Sequence, residues 1–185
     1  MARDRTRPTR RRRVLRRAAG GFLVLLVAWV VATAWIMGWP QRDTPGHADA
    51  IVMLNGNGPR LDEALRLGWA HAAPNLVIAR GSSFWVTHPC APAIPGVTVT
   101  CFNPSPPTTR GEAEFVGRLA AHNHWRSIIV VSTRAQDTRA RLRISRCFQG
   151  DVDVVTVPIK KAQWPQAIAH EWAGLAKALL LERGC

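Results

Sequence analysis

Acidic residues are scarce in this sequence. Its 185 residues contain 12 Asp and Glu against 25 Lys and Arg, a formal net charge of +13 with pI ≈ 11.5. An excess of that size points first to a nucleic-acid partner. The imbalance is local, however. Nine Arg and one acid, Asp4, fall in the first 17 residues, a charge of +8. The other 168 residues carry 16 basic and 11 acidic side chains, only +5. The basic character belongs to a short tail, and no nucleic-acid partner is expected. Charged residues are 20% and hydrophobic ones 47% of the chain, close to globular averages, which excludes global disorder. The length excludes two full domains and leaves room for one plus something short.

The usual metal and nucleotide signatures are missing too. The four cysteines form no CxxC pair and have no histidine at zinc-finger spacing, so no metal site is expected. Asn55-Gly56-Asn57-Gly58 is not a P-loop and lacks the GxGxxG spacing. No cofactor is legible. An even cysteine count in an exported domain suggests two disulfides. Of three possible connectivities we favour Cys90–Cys101, which closes one loop, and Cys147–Cys185, which ties Cys185 to a helix end.

Charge is absent altogether from Ala18 to Trp39. Those 22 residues would make a helix of roughly 33 Å, enough to cross a hydrocarbon core. Trp35 and Trp39 sit near its far end, where indoles favour the membrane interface, and Pro40 ends the helix. The Arg block beside it reads as a cytoplasmic stop resting on anionic lipid, which puts the C-terminal domain outside the cytoplasm. The expected organisation is a basic cytoplasmic tail (1–17), a transmembrane helix (18–39), a linker (40–48) and an extracytoplasmic domain (49–185) at the plasma membrane. Two other readings fit. Ala32-Thr33-Ala34 matches a signal-peptide cleavage pattern, although the apolar stretch is longer than a usual signal core. Arg11-Arg12-Arg13-Val14-Leu15-Arg16 resembles a twin-Arg export signal, a match almost unavoidable in so Arg-rich a run.

Past the linker, strand and helix signals alternate. A continuous apolar run at 50–54 and largely apolar stretches at 75–79, 127–131 and 152–157 read as strands. Helical spacing covers 60–72, 109–123, 137–148 and 164–182. The Pro-rich stretch from Gly81 to Pro107 reads as a long loop, with an extended piece at 97–101. Thr108 or Thr109 can cap the second of these helices, and Glu112, three residues after Thr109, gives a capping-box pattern. The expected fold is a three-layer, Rossmann-like α/β domain: a mainly parallel sheet with helices on both faces. Its ligand crevice would lie at the carboxyl ends of the strands. The turns there hold Asn55, Gly56 and Asn57, then Arg80, Gly81 and Ser82, then Ser132 and Thr133. Glycines allow backbone N–H groups to approach an anion, and Arg60 and Arg139 supply forked donors. Structural turns with surface Arg explain the same residues equally well.

Blocks in order support a more specific reading: ADAIVMLNGNGPRLDEALRLGWAHAAPNLVIARGS, then TRGEAEFVGRLAAHNHWRSIIVVST, then DTRARLRISRCF. Over about Ala48 to Val157 they resemble the YdcF/SanA/ElyC-like family of membrane-anchored bacterial envelope proteins, whose domain has no assigned function. The Arg- and Ala-rich composition looks like an actinobacterial member. The resemblance implies a role in envelope biogenesis and barrier function. It places Asp49 before the first strand, Asn55, Gly56 and Asn57 in the Gly-rich turn, and Arg60 at the family Arg. Arg80-Gly81-Ser82 falls at the Ser-Gly-Gly turn, Thr109 and Glu112 in the "T-x-x-N/E-A" block, Ser132 and Thr133 at the Thr-Ser pair, and Arg139 at the last Arg. Two family glycines are Asn55 and Asn57 here, and the family Tyr-His is Ala135-Gln136. Gln136 can donate and accept hydrogen bonds but cannot shuttle protons near neutral pH, which argues for altered or lost catalysis.

Other residues read as structural. His122 and His124 are expected to face solvent, and His88 and His170 to be structural. Asp62 and Glu63 are adjacent on a helix and point apart. Trp164 and Trp172 are expected to pack in the core. The functional expectation is an envelope protein binding a small anionic, nucleotide-like or lipid-linked ligand in the strand-end crevice. The alternatives are a hydrolase or transferase on a phosphorylated envelope precursor, with Glu112 or Asp49 as base, and a non-catalytic scaffold for membrane partners.

Overall fold

In a computed structural model, residues 10–39, 43–56, 59–80, 90 and 93–185 are described. Five strands form one sheet: β1 (Ala50–Met53), β2 (Asn75–Ala79), β3 (Thr98–Phe102), β4 (Ser127–Thr133) and β5 (Asp151–Val157). All pairings are parallel, and the spatial order is β3-β2-β1-β4-β5. The helices are α1 (Arg10–Gly38), α2 (Arg60–Trp69), α3 (Thr109–His122), α4 (Asp137–Cys147) and α5 (Trp164–Leu180). The expected α/β architecture is therefore present.

The apolar runs explain the layering. Side chains alternate across a strand, so a parallel strand covered on both faces needs apolar residues at every position. Val52, Val77 and Val130 face one side, where Ala113 and Val116 of α3 and Ala140 and Ile144 of α4 meet them. Ile51, Leu76 and Ile129 face the other, against Ala64 and Leu67 of α2. Register keeps the layers aligned: Val52 lies beside Val77 on one flank and Val130 on the other. Each fully buried Val or Ile contributes about 1.5–3 kcal/mol before entropy is subtracted.

Two expectations need correction. The sheet has five strands, not four, because the extended piece in the Pro-rich loop is a full edge strand, β3. It pairs with β2 alone and is mostly half-buried, so it lacks the continuous apolar run that marks its neighbours. The apolar helix is also longer than its uncharged part. It starts at Arg10 and ends at Gly38. Its last turns dock on the domain: Met37 is buried, Thr138 donates to the Ile36 carbonyl at 3.3 Å, and Trp172 donates its indole N–H to Thr33 Oγ1 at 3.0 Å. Arg12–Gly38 is long and apolar enough to cross a membrane.

Both favoured disulfides are formed. Cys90–Cys101 fastens a loop to β3, and Cys147–Cys185 fastens residue 185 to the end of α4. His122 and His124 are exposed as expected. Glu63 pairs with Arg66 and not with Asp62.

Candidate functional site

The strand order reverses between β1 and β4, which makes their carboxyl ends the switch point of the sheet. In open α/β sheets the loops diverge there and leave a crevice. This chain has a cavity of about 630 Å³ at that place. The β1, α2 and β4 ends supply Asn55, Gly56, Arg60 and Thr133. The start of α3 supplies Thr109 and Glu112, α4 supplies Gln136, Arg139 and Arg143, and α5 forms the remaining wall.

Arg60 is pinned by the chain that precedes it. Its Nη1 donates to the Leu54 carbonyl at 3.1 Å and the Asn55 carbonyl at 2.5 Å, and its Nη2 to Thr133 Oγ1 at 3.2 Å. Its buried Nε has no partner among the described residues. Burial pulls the guanidinium down to about 10, opposed by the charges of Glu112 and Glu171, so it stays charged at neutral pH. Gly56 is required beside it. Its φ is 137°, and a Cβ there would lie 2.7 Å from Arg60 Nη2.

Glu112 is the buried acid of the site, 2% exposed. It does not close a capping box. The N-cap of α3 is Thr108, whose hydroxyl accepts from the Gly111 N–H, and Glu112 lies one position beyond the box. Its carboxylate instead accepts the Asn55 backbone N–H at 2.6 Å and hydrogen-bonds the Thr109 hydroxyl. Burial pushes it up to about 7, held back by the Asn55 N–H and by the charges of Arg60 and Arg139. Thr109 relays this network: its oxygen accepts from Arg139 Nη1 at 2.6 Å and Gln136 Nε2 at 3.1 Å. Arg139 then turns its other donors to Glu171 of α5. Gly174 lets α5 come this close, since a Cβ there would sit 2.7 Å from Arg139 Cδ.

Seven expected ligand residues, Asn55, Gly56, Arg60, Thr109, Thr133, Gln136 and Arg139, thus share one cavity wall with the candidate base Glu112. Asn57, Gly81 and Ser82 lie outside the described residues. Two expectations fail on position. Asp49 sits at the amino end of β1, away from the crevice, where its carboxylate accepts the Arg126 and Ser127 N–H groups at 2.6 and 2.9 Å. Those bonds hold it below the usual carboxylate range and make it a brace between β1 and β4, not a base. Ser132 is fully buried, with no partner for its hydroxyl among the described residues, because strand alternation turns it away from the side where Thr133 meets Arg60.

The sequence reading missed the mouth. Arg110, Arg143, Lys177, Glu182 and His170 all line the cavity. Arg143 pairs with Glu182 at 2.5 Å, and Lys177 reaches the same carboxylate at 2.9 Å. Arg143 follows Arg139 by one helical turn, a signal available in the sequence. The rest depends on where α5 docks. Five basic side chains line the cavity against two carboxylates among the described residues. Among the described residues no group of three or more His, Cys, Asp and Glu is placed to hold a metal ion.

A scan against known protein-family models finds no match to this chain, and a search of curated proteins finds no relative.

Proposed function

We propose that this chain is a membrane-anchored envelope protein whose switch-point crevice binds a small anionic ligand carrying phosphate, either nucleotide-like or lipid-linked. The observation that carries this is the cavity lining: five cations against two carboxylates around a pocket large enough for such a ligand. The net positive charge of that lining suits phosphate oxygens better than any neutral group. Membrane attachment rests on α1, with the Arg tail of residues 1–17 on the cytoplasmic side. The two disulfides support an oxidising compartment for the domain. The resemblance to the YdcF/SanA/ElyC-like family supports the same placement in the cell envelope.

The test is a thermal-shift screen of the full chain in detergent against nucleotides, S-adenosylmethionine and lipid-linked sugar phosphates. A phosphorylated compound should raise Tm. Arg110→Ala and Lys177→Ala, at the partly exposed mouth, should reduce that shift while leaving the unliganded Tm unchanged. Equal shifts in both variants would remove the crevice from the binding reaction.

One observation favours a second reading, turnover of a phosphorylated envelope precursor. Glu112 titrates near neutrality beside the cavity, where a general base is most effective. Hydrolysis that survives Glu112→Gln would discard it.

A further inference from the structure

Helix α5 is built the wrong way round for a surface helix of a soluble domain. With 3.6 residues per turn its side chains sort into three faces. One carries Glu171, Leu175 and Ala178, all buried. A second carries Gln166, His170, Gly174 and Lys177, which wall the crevice. The third carries Ile168, Ala169, Trp172, Ala176, Leu179 and Leu180, covering about a third of the circumference without a charge. That face points out of the domain: Leu179 is 52% exposed and Leu180 67%, followed by Leu181 at 78%. A soluble protein places its polar face there.

The neighbour of this face is α1. Trp172, in the middle of the apolar stripe, donates to Thr33 of α1. Thr33 lies between the lipid-facing part of α1, where Phe22 to Val31 is exposed and apolar, and its docked end at Met37. Trp35 and Trp39, 74% and 80% exposed, mark the same depth. Trp35 and Trp39 lie within two turns of Thr33 along α1, where Trp172 meets it, and interfacial tryptophans favour the level at which a span leaves the bilayer. Basic residues flank the stripe: exposed Lys160 and Lys161 precede α5, and Arg183 follows it.

We propose that the apolar face of α5 rests in the head-group layer of the bilayer that α1 spans, so that the domain is held on the membrane surface at two places. This rests on reading α1 as a membrane span. The exposed leucines then cover acyl chains, and the flanking Lys and Arg meet anionic head groups. The crevice, on the other side of the same helix, opens beside the lipid surface.

Photo-cross-linking in the full chain tests this. Benzoylphenylalanine is placed singly at Phe22, Leu180 or Asp62, and each protein is reconstituted in phosphatidylglycerol–phosphatidylcholine vesicles. Lipid adducts are then read by mass spectrometry after irradiation. Position 22 reports the span, and Asp62, exposed on α2 across the sheet from α4, reports background. The expected result is adduct at 22 and at 180, with position 62 at background. Adduct at 22 with none at 180 would overturn the docking of α5 and leave the span intact. No adduct at 22 would overturn the span and with it this proposal. Cross-links from 180 to a second copy of the chain in place of lipid would also overturn it.

Discussion

Arg139 and Glu171 meet in a two-pronged ion pair that locks α5 to α4. Nε and Nη2 of the guanidinium lie 2.6 and 2.8 Å from the two carboxylate oxygens, and both side chains are almost wholly buried. The pair closes the back of the crevice and leaves one Arg139 nitrogen for Thr109. It joins two helices whose sequences give no hint that they touch.

Breaking this pair from one side strands a buried charge. Arg139→Met is expected to destabilise by about 3–5 kcal/mol, and Glu171→Gln by somewhat less, since the amide can still accept one bond. The double variant Arg139→Met with Glu171→Leu should recover most of the loss, because neither charge then remains in the interior. Chemical denaturation of the three variants measures this. A double variant as weak as the sum of the singles would show that the helices depend on the charges themselves.

Glu112 makes stability depend on pH in an uncommon direction. Its folded value, about 7, stands above the ordinary 4.5, so the folded chain holds this proton more tightly than the unfolded one. That contribution is complete below about pH 4.5 and is lost as pH rises toward and through 7. Asp137, raised by its burial despite Arg141, acts with the same sign. Tm should fall from pH 5 to pH 8, and Glu112→Gln should flatten most of the slope. A wild-type profile that rises across this window would contradict the assignment.

Asp49 should behave as a structural brace. Asp49→Ala leaves the Arg126 and Ser127 N–H groups without their acceptor and should cost about 1–3 kcal/mol. Because its folded value is lowered, the stability it supplies is present above the ordinary carboxylate range and disappears as pH falls through the folded value. Ligand-induced thermal shifts should be unchanged in this variant once the lower starting Tm is allowed for. A selective loss of ligand response would return Asp49 to the functional site.

The Cys147–Cys185 bond spans 38 residues and encloses all of β5 and α5. In the chain-entropy account a loop of that size stabilises by about 4 kcal/mol. The paired change Cys147→Ser with Cys185→Ser should lower Tm and loosen the α5 wall. Amide exchange should then accelerate first in α5, whose own core contacts are few, and last in β4.

Much of the site was legible in the linear pattern because strand ends are. The apolar runs that end at Leu54 and Val131 fix where the backbone leaves the sheet, and the polar residues just beyond them must then share one edge. Arg60, Thr133 and Arg139 follow from that, whereas Thr109 and Gln136 enter only through the resemblance to the YdcF/SanA/ElyC-like family. Edge strand β3 was legible only as an extended piece at 97–101, because the Pro-rich stretch around it reads as loop. Glu112 reads in the sequence both as a helix cap, because the spacing from Thr109 allows one, and as a candidate base. The structure begins capping one residue earlier, and the carboxylate is drawn inward by the Asn55 N–H instead.

Composition and periodicity thus determined the apolar span, the basic tail and the alternating α/β order, all consequences of local runs. The packing of α5 was decided only in three dimensions. Glu171 buried, His170 and Lys177 on the crevice, and Trp172 beside Thr33 each depend on which of three faces of one helix meets which neighbour. No periodicity within α5 specifies that choice. It is set by an ion pair with a partner 32 residues away and by the docked end of a helix 139 residues earlier in the chain.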